Sequence, residues 1–83
     1  MASYRQIRAA RVLLEWTQQT LADRALVSVN TVRAIEANRA YPKDESLMAV
    51  QRALQKAGIV FQPNGTMGEG VRFARPVPLP RRR

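Results

Sequence analysis

The sequence predicts a mainly α fold: a compact bundle of four short helices, followed by a C-terminal β-hairpin and a disordered tail. Three observations carry this expectation. Apolar residues recur at helical spacing up to about residue 58. The chain then turns β-branched and aromatic on either side of a turn-rich stretch. Residues 76–83, "PVPLPRRR", alternate proline with apolar residues and finish in arginine, a composition that neither packs a core nor pairs a strand. The expected division is therefore residues 1–58 as a helical domain, 59–75 as a hairpin and 76–83 as a Pro/Arg-rich tail.

The first helix is expected over residues 4–16, "YRQIRAARVLLEW". Its strong helix formers place Ile7, Ala10 and Leu14 on one face and turn Arg5 and Arg8 away. Thr17 is a good N-cap for a second helix of about two turns, in which Thr20, Leu21, Ala22 and Ala25 continue the pattern. Ser28 is the next capping candidate. Behind it Val32 and Ile35 recur three apart, which predicts a third helix over roughly 28–37.

"NRAYPK" breaks the periodicity, because Pro42 disfavours helical geometry at Tyr41, and the resulting loop carries Arg39 and Lys43. Asp44 and Glu45 open the fourth helix, where negative charge suits the N-terminus, and Leu47, Val50 and Leu54 form its apolar stripe. Gly58 is placed to end it. "IVFQ" and "VRFA" flank "PNGTMGEG", which reads as two strands joined by a loop.

Eighty-three residues make one small domain whose core is marginal unless some surface is buried against a partner, so a dimer is expected. The net charge of +8 points to a polyanion, with double-stranded nucleic acid first and an anionic membrane surface second. Basic excess is not confined to the tail: residues 1–43 and 44–83 each carry seven basic and three acidic side chains. With no Cys and no His, thiol nucleophiles, imidazole bases and the usual zinc ligands are missing. Six scattered carboxylates offer no catalytic site, and neither an enzyme nor a cofactor nor a metal is expected. The longest aliphatic run, Val12-Leu13-Leu14, is too short for a membrane span or a signal peptide, so the expected location is cytoplasmic and no membrane partner is expected.

Two short helices joined near "LVS" can present the second of the pair to the DNA major groove. The pair needs an apolar inner face for rigidity, and Leu21, Ala22, Ala25, Val27, Val32 and Ile35 supply it. It also needs short polar side chains at the start of the second helix, supplied by Ser28, Val29, Asn30, Thr31, Arg33 and Ala34. Asn pairs with adenine and Arg with guanine, while Val29 or Ala34 suits a thymine methyl.

The stretch "WTQQTLADRALVSVNTVRAIEANRAYP" resembles the helix-turn-helix of the Cro and phage-repressor family, the Xre-type regulators, and the likeness extends over residues 4 to about 58. It rests on Thr17-Gln18, Leu21-Ala22, Val27-Ser28, Thr31-Val32 and Ile35-Glu36 taken together. The resemblance implies a lambda-repressor-like fold and base contacts from Val29, Asn30, Arg33 and Ala34. It implies that Gln18 touches phosphate and braces the recognition helix, and that Arg39 and Tyr41 grip the DNA backbone, with Ser28, Thr31 and Lys43 beside them. It also implies an ion pair between Arg11 and Glu36, whose carboxylate would otherwise repel DNA.

Each assignment has a plainer alternative. Ser28, Asn30 and Thr31 also read as a cap and a solvated face, Arg33 as an exposed charge, and Arg5, Arg8 and Arg24 as general positive surface. Two features depart from the family. Its last helix is replaced by the hairpin, whose Ile59, Phe61, Val71 and Phe73 either form a dimer interface or cover the bundle. Leu26 stands where the family usually has Gly, which predicts a left-handed backbone that an L-residue adopts at a cost of roughly 1–2 kcal/mol. The tail reads as a basic arm along phosphates, a solubilising end, or a peptide ligand for a possible protein partner.

Overall fold

The computed structural model describes residues 1–77, and six elements follow one another along the chain: α1 (Tyr4–Leu13), α2 (Gln18–Ala25), α3 (Val29–Glu36), α4 (Asp44–Lys56), β1 (Ile59–Gln62) and β2 (Gly70–Phe73). Residues 78–83 of the expected tail lie outside that range.

Side-chain caps set the helix starts. Ser3 and Gln6 form a reciprocal capping box on α1, each side chain serving the other's backbone N–H. Thr17 accepts from the Thr20 N–H at 3.0 Å and Ser28 from the Thr31 N–H at 3.1 Å, so α2 and α3 open on the same device. α4 begins after Lys43 without a side-chain cap, and Asp44 and Glu45 stand in its first turn.

α1 stops at Leu13, three residues before the end expected from its composition. The chain reverses at Glu15, φ 57°, and the Trp16 N–H closes back on the Arg11 carbonyl at 3.1 Å. The reversal tucks Trp16 partly against the core instead of extending the helix into solvent.

Ile7 and Ala10 from α1, Leu21, Ala22 and Ala25 from α2, Val32 and Ile35 from α3, and Val50 and Leu54 from α4 form one core. Ile59, 3% exposed, is the contribution of β1 to it. The strands pair antiparallel with Ile59 opposite Phe73 and Phe61 opposite Val71, so these four side chains share one face of the ribbon. That face lies on the helices: Phe61, Val71 and Phe73 are half-buried against the same core.

Of the two readings of the hairpin's apolar residues, covering the bundle describes Ile59. Ile59 is interior and unavailable to a second chain, because a two-stranded ribbon with one apolar face is stable only when that face is covered. α1 also fastens the far end of the hairpin. The buried amide of Gln6 donates to the carbonyls of Gln62 at 2.7 Å and Gly70 at 2.9 Å, the last pair before the loop. Glu69 accepts from Ser3 at 2.9 Å and from Arg5 at 2.7 Å, and these two donors hold its carboxyl below the usual carboxylate range.

Candidate nucleic-acid interface

The junction of α2 and α3 decides how the third helix is presented. Leu26 ends α2 at φ 58°, ψ 42°, in the left-handed region, and is 92% exposed. The Val27 N–H then bonds the Ala22 carbonyl at 3.0 Å, and Val27 packs against the core beneath the turn. Leu26 therefore accepts the strained backbone and gains almost no packing in return. Leu26→Gly is expected to stabilise the domain by up to about 1 kcal/mol, the relief of left-handed strain less the extra chain entropy glycine loses on folding. Thermal melting checks this, with a shift of roughly 4–8 °C per kcal/mol for a domain of this size. A lower midpoint would show that the leucine side chain holds the turn together.

α3 is locked from behind through its acidic residue. Glu36 is 4% exposed and receives the Arg11 guanidinium in a two-pronged pair, Nε to Oε2 at 2.7 Å and Nη2 to Oε1 at 2.9 Å. The Gln18 amide adds a third donor to Oε1 at 3.2 Å, and the remaining Arg11 edge donates to the Trp16 carbonyl at 2.9 Å. Hydrogen bonding to Glu36 outweighs partial burial and raises the Arg11 pKa above its ordinary value. One carboxylate thus ties α1, α2 and α3 together and is withdrawn from the outer surface.

The outer side of α3 is left with a short list of groups. Asn30 and Arg33 are exposed and bonded to each other, Arg33 Nη1 to Asn30 Oδ1 at 3.0 Å. Ser28 is exposed and shares its hydroxyl with that of Thr31 at 2.9 Å. Arg39, Tyr41 and Lys43 are exposed on the loop that follows, and Asn30, Arg33, Arg39 and Tyr41 surround one surface hollow of about 250 Å³. Gln18 is half-buried, its amide turned toward Glu36 at the start of α2.

Of the four residues expected to meet bases, one is interior and another only partly exposed. Ala34 is 1% exposed and cannot reach a thymine methyl. After α3 the chain reverses at Asn38, φ 56°, and the Arg39 N–H returns to the Ala34 carbonyl at 2.9 Å, leaving Ala34 in the wall of the hollow. Val29 is half-buried against the core and shows only part of its side chain outward.

Two residues read from sequence only as a cap and a helix position lie at the same end of the helix pair. Thr17 and Thr20 pair their hydroxyls at 3.0 Å at the start of α2, repeating the Ser28 and Thr31 arrangement at the start of α3. The shared spacing, a hydroxyl residue and a threonine three positions on, was the signal available for them.

Among the described residues no group of three or more His, Cys, Asp or Glu is disposed to hold a metal ion, and no helix is long and apolar enough to cross a membrane. A comparison with curated proteins gives no match. Residues 7–58 match the helix-turn-helix family, a span that runs from the buried face of α1 to the glycine closing α4. With that match over most of the chain, and with a capped α2, a left-handed turn and an α3 held from behind by Arg11 and Gln18, the protein belongs to the Xre/Cro-type helix-turn-helix family of DNA-binding regulators.

Proposed function

We propose that the protein is a sequence-specific transcriptional regulator that lays α3 in the major groove, acting as a homodimer on a palindromic operator. The observation that carries this reading is the division of α3 into two sides. Its one acid, Glu36, is turned inward onto Arg11, and its outer side offers Asn30 and Arg33. In this reading Asn30 and Arg33 face the base edges, with the exposed part of Val29 beside them. Gln18, Ser28, Thr31, Arg39, Tyr41 and Lys43 hold the phosphates on either side. Backbone contacts of this kind fix orientation and carry most of the salt dependence, whereas base contacts carry the sequence preference.

The small core favours a homodimer, and so does the open-edged hairpin. The contact in this proposal uses the strand edges and the outward parts of Phe61, Val71 and Phe73. Selection of bound duplexes from a random pool at fixed salt tests the whole reading. The expected product is a palindrome whose half-sites lie about one helical turn, roughly 34 Å, apart. Recovery of unenriched sequences, bound only in proportion to low salt, would overturn it.

A second reading, an antitoxin or adaptor whose C-terminal hairpin and tail bind a partner protein and which only autoregulates through DNA, gains support from the surface where the hairpin meets α1. Val12 and Leu13 are 58% and 40% exposed on α1, next to Val71 and flanked by Arg5 and Arg8. A stoichiometric unrelated protein co-purifying from the native host, and lost on Val12→Ser, would favour it.

A further inference from the structure

Asn30 and Arg33 lie one turn apart on α3, and both are exposed. Treated separately, they are two readers: an asparagine amide for adenine and a guanidinium for guanine. The adenine pairing needs both ends of the amide, Oδ1 to accept from the base's exocyclic amine and Nδ2 to donate to N7. In this protein Oδ1 already accepts from Arg33 Nη1 at 3.0 Å. A carbonyl oxygen engaged by a cation is a weaker acceptor for a second N–H, and the nearby positive charge further disfavours approach of another donor. The amide is left with its donor end free.

For Arg33 the same bond has the opposite consequence. One Nη1 N–H is spent on Asn30, while the Nε and Nη2 N–H groups remain, and that edge matches the paired acceptors O6 and N7 of guanine. A long side chain that would otherwise sample many rotamers is held over the exposed face of the helix. Ser28 and Thr31 join their hydroxyls to each other rather than to either group. Arg39, across the shared hollow, is a further donor, and Tyr41 beside it carries a phenol that can donate or accept, so the hollow holds no carboxylate to draw Arg33 away.

Resting on the major-groove reading above, we propose that Asn30 and Arg33 form one donor-only reading head whose target is guanine: Arg33 makes the base contact and Asn30 is its positioning residue, not an independent reader of adenine. Each half-site then contains a guanine whose recognition depends on both side chains. The preference at that base pair belongs to the coupled pair and does not split into two adjacent preferences.

The test compares base preference at every operator position for the full chain and for Asn30→Ala, Arg33→Ala and Arg33→Lys, with circular dichroism confirming that each variant is folded. The wild type is expected to select guanine at one position per half-site by tenfold or more, a typical margin for a good two-pronged pair. Arg33→Ala should abolish that preference. Arg33→Lys should retain binding to random DNA and lose most of the preference, because an ammonium cannot make the planar pair. The decisive variant is Asn30→Ala, which should weaken the preference for the same guanine several-fold and leave the neighbouring base pairs unchanged. If Asn30→Ala instead relaxes an adenine at a different position while the guanine preference stands, the two residues read independently and the proposal fails, although the major-groove reading survives. If no position shows any preference in the wild type, the major-groove reading itself fails.

Discussion

Arg11→Ala is expected to destabilise the domain by about 3–5 kcal/mol, the usual loss when one partner of a buried ion pair is removed. The size follows from what remains: Glu36, 4% exposed, keeps its carboxylate in the interior with the Gln18 amide as its surviving side-chain donor. That donor places the loss toward the lower end of the range. Such a loss is a large fraction of the roughly 5–15 kcal/mol that holds an ordinary domain together, and a chain of this length starts low in that range. Denaturant unfolding measures it. Arg11→Ala combined with Glu36→Leu should recover much of the lost stability, since replacing both partners removes the orphaned charge. Recovery of stability without recovery of DNA binding would separate the pair's structural work from any part it takes in presenting α3. A single-variant loss below about 1 kcal/mol would mean that Glu36 escapes to solvent, as surface pairs of that strength do.

Ile59→Ala is expected to cost about 2–5 kcal/mol, the range for emptying a buried aliphatic side chain in a packed core. The value should be the same at low and high protein concentration, because Ile59 packs against helices of its own chain. An interface residue behaves otherwise: its truncation alters the concentration dependence of the melting temperature more than the intrinsic stability. A small cost that depends on concentration would return Ile59 to a contact between two copies. Ile59→Ala thus measures whether the hairpin belongs to the domain core, as Gln6 and Glu69 suggest by fastening its loop end to α1.

Local chemistry made much of this architecture legible in the sequence. Thr17 and Ser28 announce helix starts because a hydroxyl in that position satisfies an otherwise unpaired N–H, and both cap as expected. Leu26 was identifiable as a left-handed residue through the resemblance, because it stands where the family usually has glycine. The two strands were visible in their β-branched and aromatic residues, although β2 begins one residue earlier, at Gly70. What escaped was set by tertiary placement. The periodicity of α3 assumes that only one stripe is covered, whereas the return of the chain through Asn38 and Arg39 covers Ala34 from another side. The role of Ile59 stayed open between covering the bundle and meeting a second molecule, because nothing in "IVFQ" tells which of the two its apolar face meets. The bond between Arg33 and Asn30 depends on rotamers of two exposed side chains, which helical spacing permits but does not dictate.

The measurement that bears most directly on α3 as the DNA-reading element is a titration of the isotope-labelled protein with a selected duplex, followed amide by amide. The largest changes are expected at Gln18, at Ser28 through Arg33, and at Arg39, Tyr41 and Lys43, with the interior amides of α4 nearly unmoved. Changes concentrated instead at Val12, Leu13 and the hairpin strands, with α3 silent, would contradict the proposed interface and place the nucleic acid on the opposite side of α1.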